Sequence, residues 1–453
     1  MSSSTEKLSP FACDRTVRIT DVNGKAVTAI PEPSDPVTAK PPFRSWLCLF
    51  ERFCRRMLRK NLQRIASGQV VIEHGSEPER FGSLVTAELM GHVQVLSPKF
   101  FRRMVTGGAL GAAESYLEGE WTSDDLTDLF RVLLRNEGVL QKFRPSLLSV
   151  SGVVSRLGHF RNRNSRTGSR RNIHEHYDLG NAFFSLFLDP TMMYSSAFFP
   201  DEQTSLEDAS LEKVDRVCRT LQLKPEDHVI EIGTGWGTFA IHAASKYGCR
   251  VTTTTISDEQ FRMATQRIAE AGFSDRITVL KKDYRDLAGQ YDKLVSIEMI
   301  EAVGRQYLPS YFATCERLLT DNGSMVIQAI TMPEQRYERY KNSVDFIQKY
   351  IFPGGFLPSV SVMQSCVAKN SSLRMLELQD FGTHYARTLR LWNERFHERL
   401  DDVKLQGFSD RFIRMWRYYL CYCEAAFLER AIGVVQVLWA KPNSSLGTVG
   451  NKP

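Results

Sequence analysis

Two glutamates follow an apolar stretch near the middle of the chain, in the segment VSIEMIEAVG that runs from Val295 to Gly304. The apolar residues predict a buried strand, and no Lys or Arg lies between Glu298 and Glu301. A buried carboxylate without a paired cation is costly, so two of them at one strand end indicate a task beyond packing. The pair raises the question of which glutamate takes part in chemistry.

A glycine-rich turn forms a second candidate site. The segment VIEIGTGWGTFA, from Val229 to Ala240, predicts a strand, a tight turn and the start of a helix. Its G-x-G-x-G spacing differs from the G-x-G-x-x-G of dinucleotide-binding loops and suits a nucleoside–amino acid, which has no pyrophosphate. A bare strand-to-helix turn is the alternative. The further strand–helix units that follow favour binding, and S-adenosylmethionine is the ligand that such a loop predicts.

The next predicted strand runs into the segment VTTTTISDEQ without the acid that often holds ribose hydroxyls at this position. Thr255, Ser257 and Gln260 offer two hydroxyls and an amide instead. Asp258 and Glu259 are expected in the first turn of the following helix, where acids interact favourably with the helix dipole.

The arrangement of predicted elements indicates an α/β fold with a second, smaller domain. From about residue 172 to 441, strands alternate with helices, as in a mostly parallel sheet with crossover helices. Residues 44–150 predict a small α+β N-terminal domain that begins with a basic amphipathic helix. Residues 151–171 predict a basic linker. The composition of residues 1–43 predicts a disordered tail, and that of residues 442–453 predicts a flexible tail.

Basic residues are concentrated in two segments. Seven basic residues and one acid lie between Arg44 and Arg64, an excess equal to the +6 net charge of the whole chain, and six arginines lie between Arg156 and Arg171. Near an anionic bilayer each Lys or Arg contributes about 1 kcal/mol, so both patches suit a membrane surface. Nucleic-acid binding is the alternative explanation of these patches. No nucleic-acid-binding module accompanies them, so a nucleic-acid partner is not predicted.

Other features concern the compartment. Nine scattered cysteines without a Cys-x-x-Cys pair favour reduced thiols. No apolar stretch approaches the roughly 20 residues of a membrane-spanning helix, and the first residues lack a signal-peptide pattern. The sequence therefore predicts a cytoplasmic enzyme that associates peripherally with the membrane. No metal site is predicted.

Eight motifs occur in the order and spacing of the cyclopropane-fatty-acyl-phospholipid synthase family, which this chain resembles over residues 172–441 and more loosely over 45–150. They are EHYDLGNAFFSLFLDPTMMYSSAFF, VIEIGTGWGTFA, VTTTTISDEQ, DYRDL, SIEMIEAVG, YIFPGGFLPS, HYARTLRLWNERF and FIRMWRYYLCYCEAAF. The EMIEAVG and IFPGG motifs are closer to the plant-type members. The resemblance implies a Rossmann-like class I methyltransferase domain.

The same resemblance implies methyl transfer from S-adenosylmethionine to a cis double bond of a phospholipid acyl chain at the membrane surface. A carbocation forms, and a bound bicarbonate removes a proton to close a cyclopropane ring. Matching motif positions imply these cofactor contacts: Tyr194, Ser195, Gly233, Thr234, Gly235, Thr255, Ile256, Ser257, Asp258, Glu259, Gln260 and Tyr284. A dimer is common in that family, so a homodimer is one expected assembly.

For the catalytic set, the resemblance implies a bicarbonate shell of Glu301, Gln328, Ile330 and Tyr385. Glu298 has no counterpart there and is expected to pack or to support its neighbours. Cys423 matches the position of the family's active-site cysteine, although this reaction needs no thiolate, so a buried thiol lining the pocket is the alternative.

Two further positions depart from the family pattern. Ser196 replaces a cysteine, and Gln328 replaces a histidine. Both residues can still donate hydrogen bonds to an anion. If they weaken the base, a hydride shift would precede quenching of the cation, and a methylene- or methyl-branched chain is the alternative product. A non-catalytic membrane- or nucleic-acid-binding protein on a methyltransferase fold is the remaining alternative.

Overall fold

The structure is a computed structural model that describes residues 43–75, 77–83, 89–140 and 179–446. The predicted tail 1–43 (except Phe43), the predicted linker 151–171 and residues 447–453 of the predicted C-terminal tail lie outside the described residues. The predicted domain boundaries near 150 and 171 also fall there and stay predictions. The described residues from Phe50 onward form one compact unit.

The helices are α1 (Phe43–Leu62), α2 (Lys99–Leu117), α3 (Leu126–Arg135), α4 (Glu137–Leu140), α5 (Asn181–Phe184), α6 (Leu206–Thr220), α7 (Thr238–Tyr247), α8 (Asp258–Glu270), α9 (Leu308–Leu318), α10 (Glu334–Tyr340), α11 (Val360–Asn370), α12 (Gly382–Glu398), α13 (Leu400–Leu405) and α14 (Asp410–Leu428). The strands are β1 (Gln69–Glu73), β2 (Pro78–Gly82), β3 (Met90–Val95), β4 (Trp121–Thr122), β5 (His228–Ile232), β6 (Arg250–Thr255), β7 (Ile277–Lys281), β8 (Tyr291–Ile297), β9 (Leu319–Thr331), β10 (Arg374–Asp380) and β11 (Gly433–Ala440).

The main sheet has seven strands in the order β10-β11-β9-β8-β5-β6-β7. Strands β5 to β9 pair in parallel, and β11 is antiparallel to both β9 and β10. The predicted α/β class with a mostly parallel sheet is therefore confirmed. The carboxyl ends of β5, β6 and β8 meet at one side of this sheet, called the carboxyl edge below, where open α/β folds place their ligands.

Helices cover both faces of the sheet, so its strands are apolar on both sides. In β5, Ile230 and Ile232 join one buried cluster, whereas Val229 joins another. This alternation follows from the two-residue period of a strand. A nearly continuous apolar strand is the expected result, and only His228 and Glu231 interrupt it in β5.

The N-terminal elements form a second sheet of four strands in the order β2-β1-β3-β4. Helix α3 connects them to α14, because the Thr127 hydroxyl donates to Glu424 Oε2 at 2.9 Å and Arg131 Nε donates to Glu429 Oε1 at 2.9 Å. Helices α2 and α3 of the N-terminal elements thus pack on α14.

Helix α1 carries two apolar stripes. Cys54, Leu58 and Leu62 are buried, whereas Phe53 and Met57 are exposed. The two stripes are distinct because residues spaced by four, from 54 to 62, face the core. Within the described residues, no helix is long and apolar enough to cross a bilayer.

Candidate active site

The glycine-rich turn lies at the carboxyl edge, between β5 and α7. Gly233 and Gly235 have φ angles of 106° and 52°, which favour glycine. The amides of Gly233 and Thr234 both donate to the Thr254 carbonyl at 3.1 Å, which joins the turn to the end of β6. A Cβ placed on Gly235 would meet no atom within 4 Å, so it would extend into open space. The turn therefore offers bare backbone to a ligand, as the cofactor prediction requires.

Glu231 lies beneath this turn and is buried. The Thr253 hydroxyl donates to Glu231 Oε2 at 2.6 Å and lies 2.8 Å from the Thr234 hydroxyl. Burial raises the pKa of Glu231 to about 8, although the Thr253 bond and the charge of Lys213 oppose the rise. Glu231 thus holds the turn in place through hydroxyl groups.

The loop after β6 contains the next group of predicted cofactor residues. The Thr255 hydroxyl donates to Gln260 Oε1 at 2.8 Å, and the Ser257 hydroxyl caps α8 by accepting from the Gln260 amide at 3.3 Å. Ile256 between them is half-buried. These bonds fix the loop backbone and leave the Gln260 side-chain amide group as a donor that the loop can offer to a ligand.

Asp258 and Glu259 occupy the first turn of α8, as predicted. Asp258 pairs with Lys281, and Glu259 pairs with Arg262. Tyr284 follows β7 on a single 3₁₀ turn, where its ring packs edge-on against Tyr311 at 5.3 Å. All three residues lie near the carboxyl edge, but the two acids are paired with exposed cations.

Two neighbouring residues of the predicted set, Tyr194 and Ser195, are fixed by different partners. The Tyr194 hydroxyl lies 3.0 Å from that of Tyr419, and its ring packs against Trp392 at 5.3 Å. Ser195 Oγ accepts a hydrogen bond from the buried Lys213 at 2.7 Å. The segment thus brings an aromatic wall and a buried cation to the carboxyl edge.

Glu298 follows β8 with a left-handed backbone, φ 48°, an arrangement that costs a non-glycine residue about 1–3 kcal/mol. Three donors from three segments converge on its carboxylate. The Ser196 amide donates to Oε1 at 2.9 Å, the Gln328 side chain donates to Oε1 at 2.7 Å, and the Tyr385 hydroxyl donates to Oε2 at 2.7 Å. We call these three donors the Glu298 cage. Gln436 in turn donates to Gln328 Oε1 at 3.0 Å, which fixes the orientation of that amide.

Glu301, three residues later, has a different environment. Its Oε1 accepts from the Ile330 amide at 2.6 Å, whereas its buried Oε2 has no hydrogen-bond partner among the described residues. Burial, with the nearby charge of Glu298, raises the pKa of Glu301 to about 8. Glu301 therefore carries a proton at neutral pH, and Glu298 is the carboxylate that the structure provides with donors.

The electrostatic partner of Glu298 is Lys213 on α6. Burial raises the pKa of Glu298, whereas Lys213 and the three cage donors oppose that rise. Burial in turn lowers the pKa of Lys213 to about 8 against the charges of Glu298, Asp189 and Glu231. Lys213 is not among the site residues predicted from the sequence. The sequence feature that could have identified it is a lysine inside the apolar stripe of a helix, between Ser210 and Val214.

The predicted bicarbonate shell is therefore divided between two carboxylates. Tyr385, Gln328 and the Ser196 amide bind Glu298, whereas the Ile330 amide binds Glu301. Each donor assigned to the anion is already paired with a carboxylate of the chain. A second anion would enter beside the Glu298 carboxylate, with only the proton of Glu301 left in this set to donate to it, so the arrangement disfavours bicarbonate.

Cys423 lies on α14 within electrostatic range of the Tyr385 and Tyr419 hydroxyls. Its side chain is half-buried and packs against the main apolar cluster. Burial raises the pKa of this thiol far above its ordinary value. The neutral thiol is a poor nucleophile, which favours the alternative in which Cys423 lines the pocket. Across the described ranges, no group of His, Cys, Asp and Glu side chains is arranged to hold a metal ion.

Comparison with known proteins identifies the family. Residues 164–437 match the family described as mycolic acid cyclopropane synthetase. The chain is 43% identical to tuberculostearic acid methyltransferase UfaA1 of Mycobacterium tuberculosis over 74% of this chain and 79% of the relative. It is 37% identical to the cyclopropane-fatty-acyl-phospholipid synthase of Escherichia coli K12 over 80% of this chain and 91% of the relative.

A solved structure agrees with these sequence matches. Mycolic acid cyclopropane synthase CmaA1, complexed with SAH and CTAB, superposes with a TM-score of 0.57 at 30% identity, over 60% of this chain and 98% of that one. The family match, the sheet topology and the glycine-rich turn thus all indicate the same class of protein. The chain belongs to the mycolic acid cyclopropane synthetase family of S-adenosylmethionine-dependent methyltransferases.

Proposed function

We propose that the enzyme transfers a methyl group from S-adenosylmethionine to a cis double bond in an acyl chain of a membrane phospholipid. The observation that carries this proposal is the closeness of the paired glutamates to the cofactor turn. Met299, between Glu298 and Glu301, has side-chain atoms 3.2 Å from the place where Gly233 would carry a Cβ. The segment that carries both glutamates therefore packs against the predicted cofactor turn, where proton removal from a newly methylated chain would need a base.

S-adenosylmethionine would supply an electrophilic methyl group that the alkene π electrons attack, while sulfur keeps the electrons of the broken bond. The chain's own residues would then stabilise the cation left on the acyl chain. The Tyr385 ring packs against Phe427 at 4.5 Å and Trp392 at 6.1 Å, so aromatic faces surround the Glu298 cage. Such faces attract cations and exclude water, which would otherwise capture the cation.

Two products are consistent with loss of a proton from that cation. A cyclopropane forms if the proton leaves the added methyl group, and the name of the Escherichia coli relative supports this product. A methylene-branched chain forms if a hydride shift comes first. Two observations favour this second product. The donors expected to bind bicarbonate are divided between Glu298 and Glu301. The Mycobacterium relative, which has the higher identity, is named a tuberculostearic acid methyltransferase.

The exposed stripe of α1 supports a membrane-bound substrate. Phe53 and Met57 are exposed between the exposed cations Arg52, Arg56 and Lys60. Apolar side chains flanked by cations are suited to the interface of an anionic bilayer. We therefore propose peripheral binding of this helix to the lipid that holds the substrate.

The test is incubation with methyl-labelled S-adenosylmethionine and vesicles of unsaturated phospholipid, followed by mass and NMR analysis of the released acyl chains. A labelled ring or an exocyclic methylene in the chain is the expected result. Vesicles of fully saturated phospholipid are the substrate control. Absence of labelled acyl chain from unsaturated vesicles of several head groups would contradict the proposal.

A matched pair of variants tests the cofactor site. Gly235→Val would fill the open space at the turn, and calorimetry should show loss of S-adenosylmethionine binding. Gly272, with φ 78° and open space around its Cβ position, lies at the end of α8 and has a similar backbone constraint. Gly272→Val should keep binding, and equal losses in both variants would argue against the assigned cofactor site.

A further inference from the structure

Glu298 occupies the centre of the donor set that the family resemblance assigned to a bound anion. The cage contains an amide from the loop before α6, an amide side chain from β9 and a hydroxyl from α12. Donors from three separate segments on one carboxylate form a preorganised site for negative charge. A packing residue needs no such arrangement.

The two carboxylates differ in what they can do. Glu298 has three donors and a buried cation nearby, all of which favour its ionised form, whereas Glu301 has one donor for two oxygens. The ionised carboxylate can accept a proton, and the protonated one cannot. Within this pair, the chemistry of a base therefore belongs to Glu298.

We propose that Glu298 is the catalytic base of this enzyme and takes the place of a bound bicarbonate. The inference rests on the proposed function. Glu298 would accept a proton from the cationic acyl chain, and the electron pair of the broken C–H bond would close the ring or form the methylene double bond. Glu298 would then be a neutral acid until it releases the proton to water after the product leaves.

The first experiment measures the need for bicarbonate. Wild-type enzyme is assayed with unsaturated vesicles in buffer depleted of carbon dioxide, then with bicarbonate added. We expect equal rates in both buffers. Rates that fall on depletion and recover with bicarbonate would overturn the inference while leaving the proposed function intact. Absence of any labelled lipid in either buffer would instead contradict the proposed function.

The second experiment replaces the base. Glu298→Gln keeps the size of the side chain but cannot accept the proton, so the rate should fall by about 100-fold or more. Any remaining methylated chain should carry a hydroxyl group, since water would capture a cation that has no base. A residue with only a structural role would leave product identity unchanged. A Glu298→Gln variant with the wild-type rate and product would overturn the inference.

The third experiment restores the anion from outside. Glu298→Gly suits the left-handed backbone at this position and would free all three cage donors. We expect an inactive variant that regains activity as bicarbonate or formate is added. Full activity without an added anion would overturn the inference. Thermal melting reports whether this variant folds, and Glu298→Gln provides the decisive comparison if it does not.

A control variant removes a different buried carboxylate. Glu424 is buried on α14, where it accepts a hydrogen bond from Thr127 at 2.9 Å. Glu424→Gln should keep the wild-type rate, product and independence of bicarbonate. If Glu424→Gln and Glu298→Gln lost activity equally, the loss would reflect general damage to the fold and the assignment of Glu298 would fall.

Discussion

The hydroxyl of Tyr385 donates to Glu298 Oε2 at 2.7 Å, and this bond joins helix α12 to the end of strand β8. Tyr385→Phe should lower kcat/KM by roughly 10- to 100-fold, because the buried oxygen would lose its donor. Binding of S-adenosylmethionine should be unchanged. Steady-state kinetics with vesicles and calorimetry with the cofactor provide both measurements.

Tyr291→Phe is the matched control for Tyr385→Phe. The Tyr291 hydroxyl donates to the Ala288 carbonyl at 3.2 Å, at the opposite end of β8. This variant should retain the wild-type rate. Similar losses in the two phenylalanine variants would mean that the Tyr385 bond has no special part in the reaction.

Lys213 should be essential for stability. Its replacement by Met would leave Glu298, Glu231 and Asp189 without the cation that faces them. Removal of one partner from a buried ion pair typically costs about 3–5 kcal/mol. Denaturant unfolding should show a loss of this order, together with a lower melting temperature.

Lys246 provides the comparison, since its exposed ammonium group pairs with Asp215. Asp215 is buried but keeps Arg219 and Tyr247 as partners, and a pair with an exposed cation contributes about 1 kcal/mol or less, so Lys246→Met should change the free energy of unfolding little. Equal destabilisation by both replacements would show that Lys213 does not neutralise the buried carboxylates.

Cys423 should react slowly with iodoacetamide near neutral pH. Burial raises the pKa of its thiol, and the thiolate is the reactive form. Mass spectrometry should show a labelling rate that still rises with pH beyond pH 9, whereas the same cysteine in unfolded protein should approach a plateau. Fast labelling with a plateau near pH 7 would indicate a thiolate and reopen a chemical role for Cys423.

The basic face of α1 should bind anionic vesicles. Arg55 and Arg59 already pair with Glu79, so the informative changes are at exposed Arg52, Arg56 and Lys60. Their combined replacement by Glu should weaken binding to anionic vesicles by at least 100-fold, since each cation contributes about 1 kcal/mol. Vesicle sedimentation measures the change.

An equal change of charge elsewhere is the control for the α1 variant. Arg250, Arg374 and Lys404 are exposed, and their replacement by Glu alters the net charge equally. Binding should fall much less in this variant. If the two triple variants bind equally, long-range charge and not α1 would determine membrane association.

Glu424 should contribute to the pH dependence of stability. Burial raises its pKa from the ordinary 4.5 to about 7. Between these values the folded state keeps a proton that the unfolded state has lost, so stability falls as pH rises, by an amount on the order of 3 kcal/mol at most. Glu424→Gln should therefore flatten the melting temperature across pH 5–7. An unchanged slope would show that Glu424 titrates normally.

Local patterns in the sequence were sufficient to predict several features. The G-x-G-x-G turn required glycines because Gly233 and Gly235 have positive φ angles, and the first-turn acids of α8 followed from helix electrostatics. The parallel sheet followed from the alternation of strands and helices. Each of these features depends on residues that are close in the chain, so their periodicity and spacing are visible without the fold.

The tertiary structure decided which glutamate receives the hydrogen-bond donors. Ser196, Gln328 and Tyr385 are 102, 30 and 87 residues from Glu298 in the chain, and they meet only when the sheet and α12 are assembled. The motifs indicated Glu301, since the resemblance concerned positions and not contacts. The sequence by itself determined that two carboxylates follow one buried strand. The packing of distant segments decided their different surroundings, because donors and a buried cation act through space.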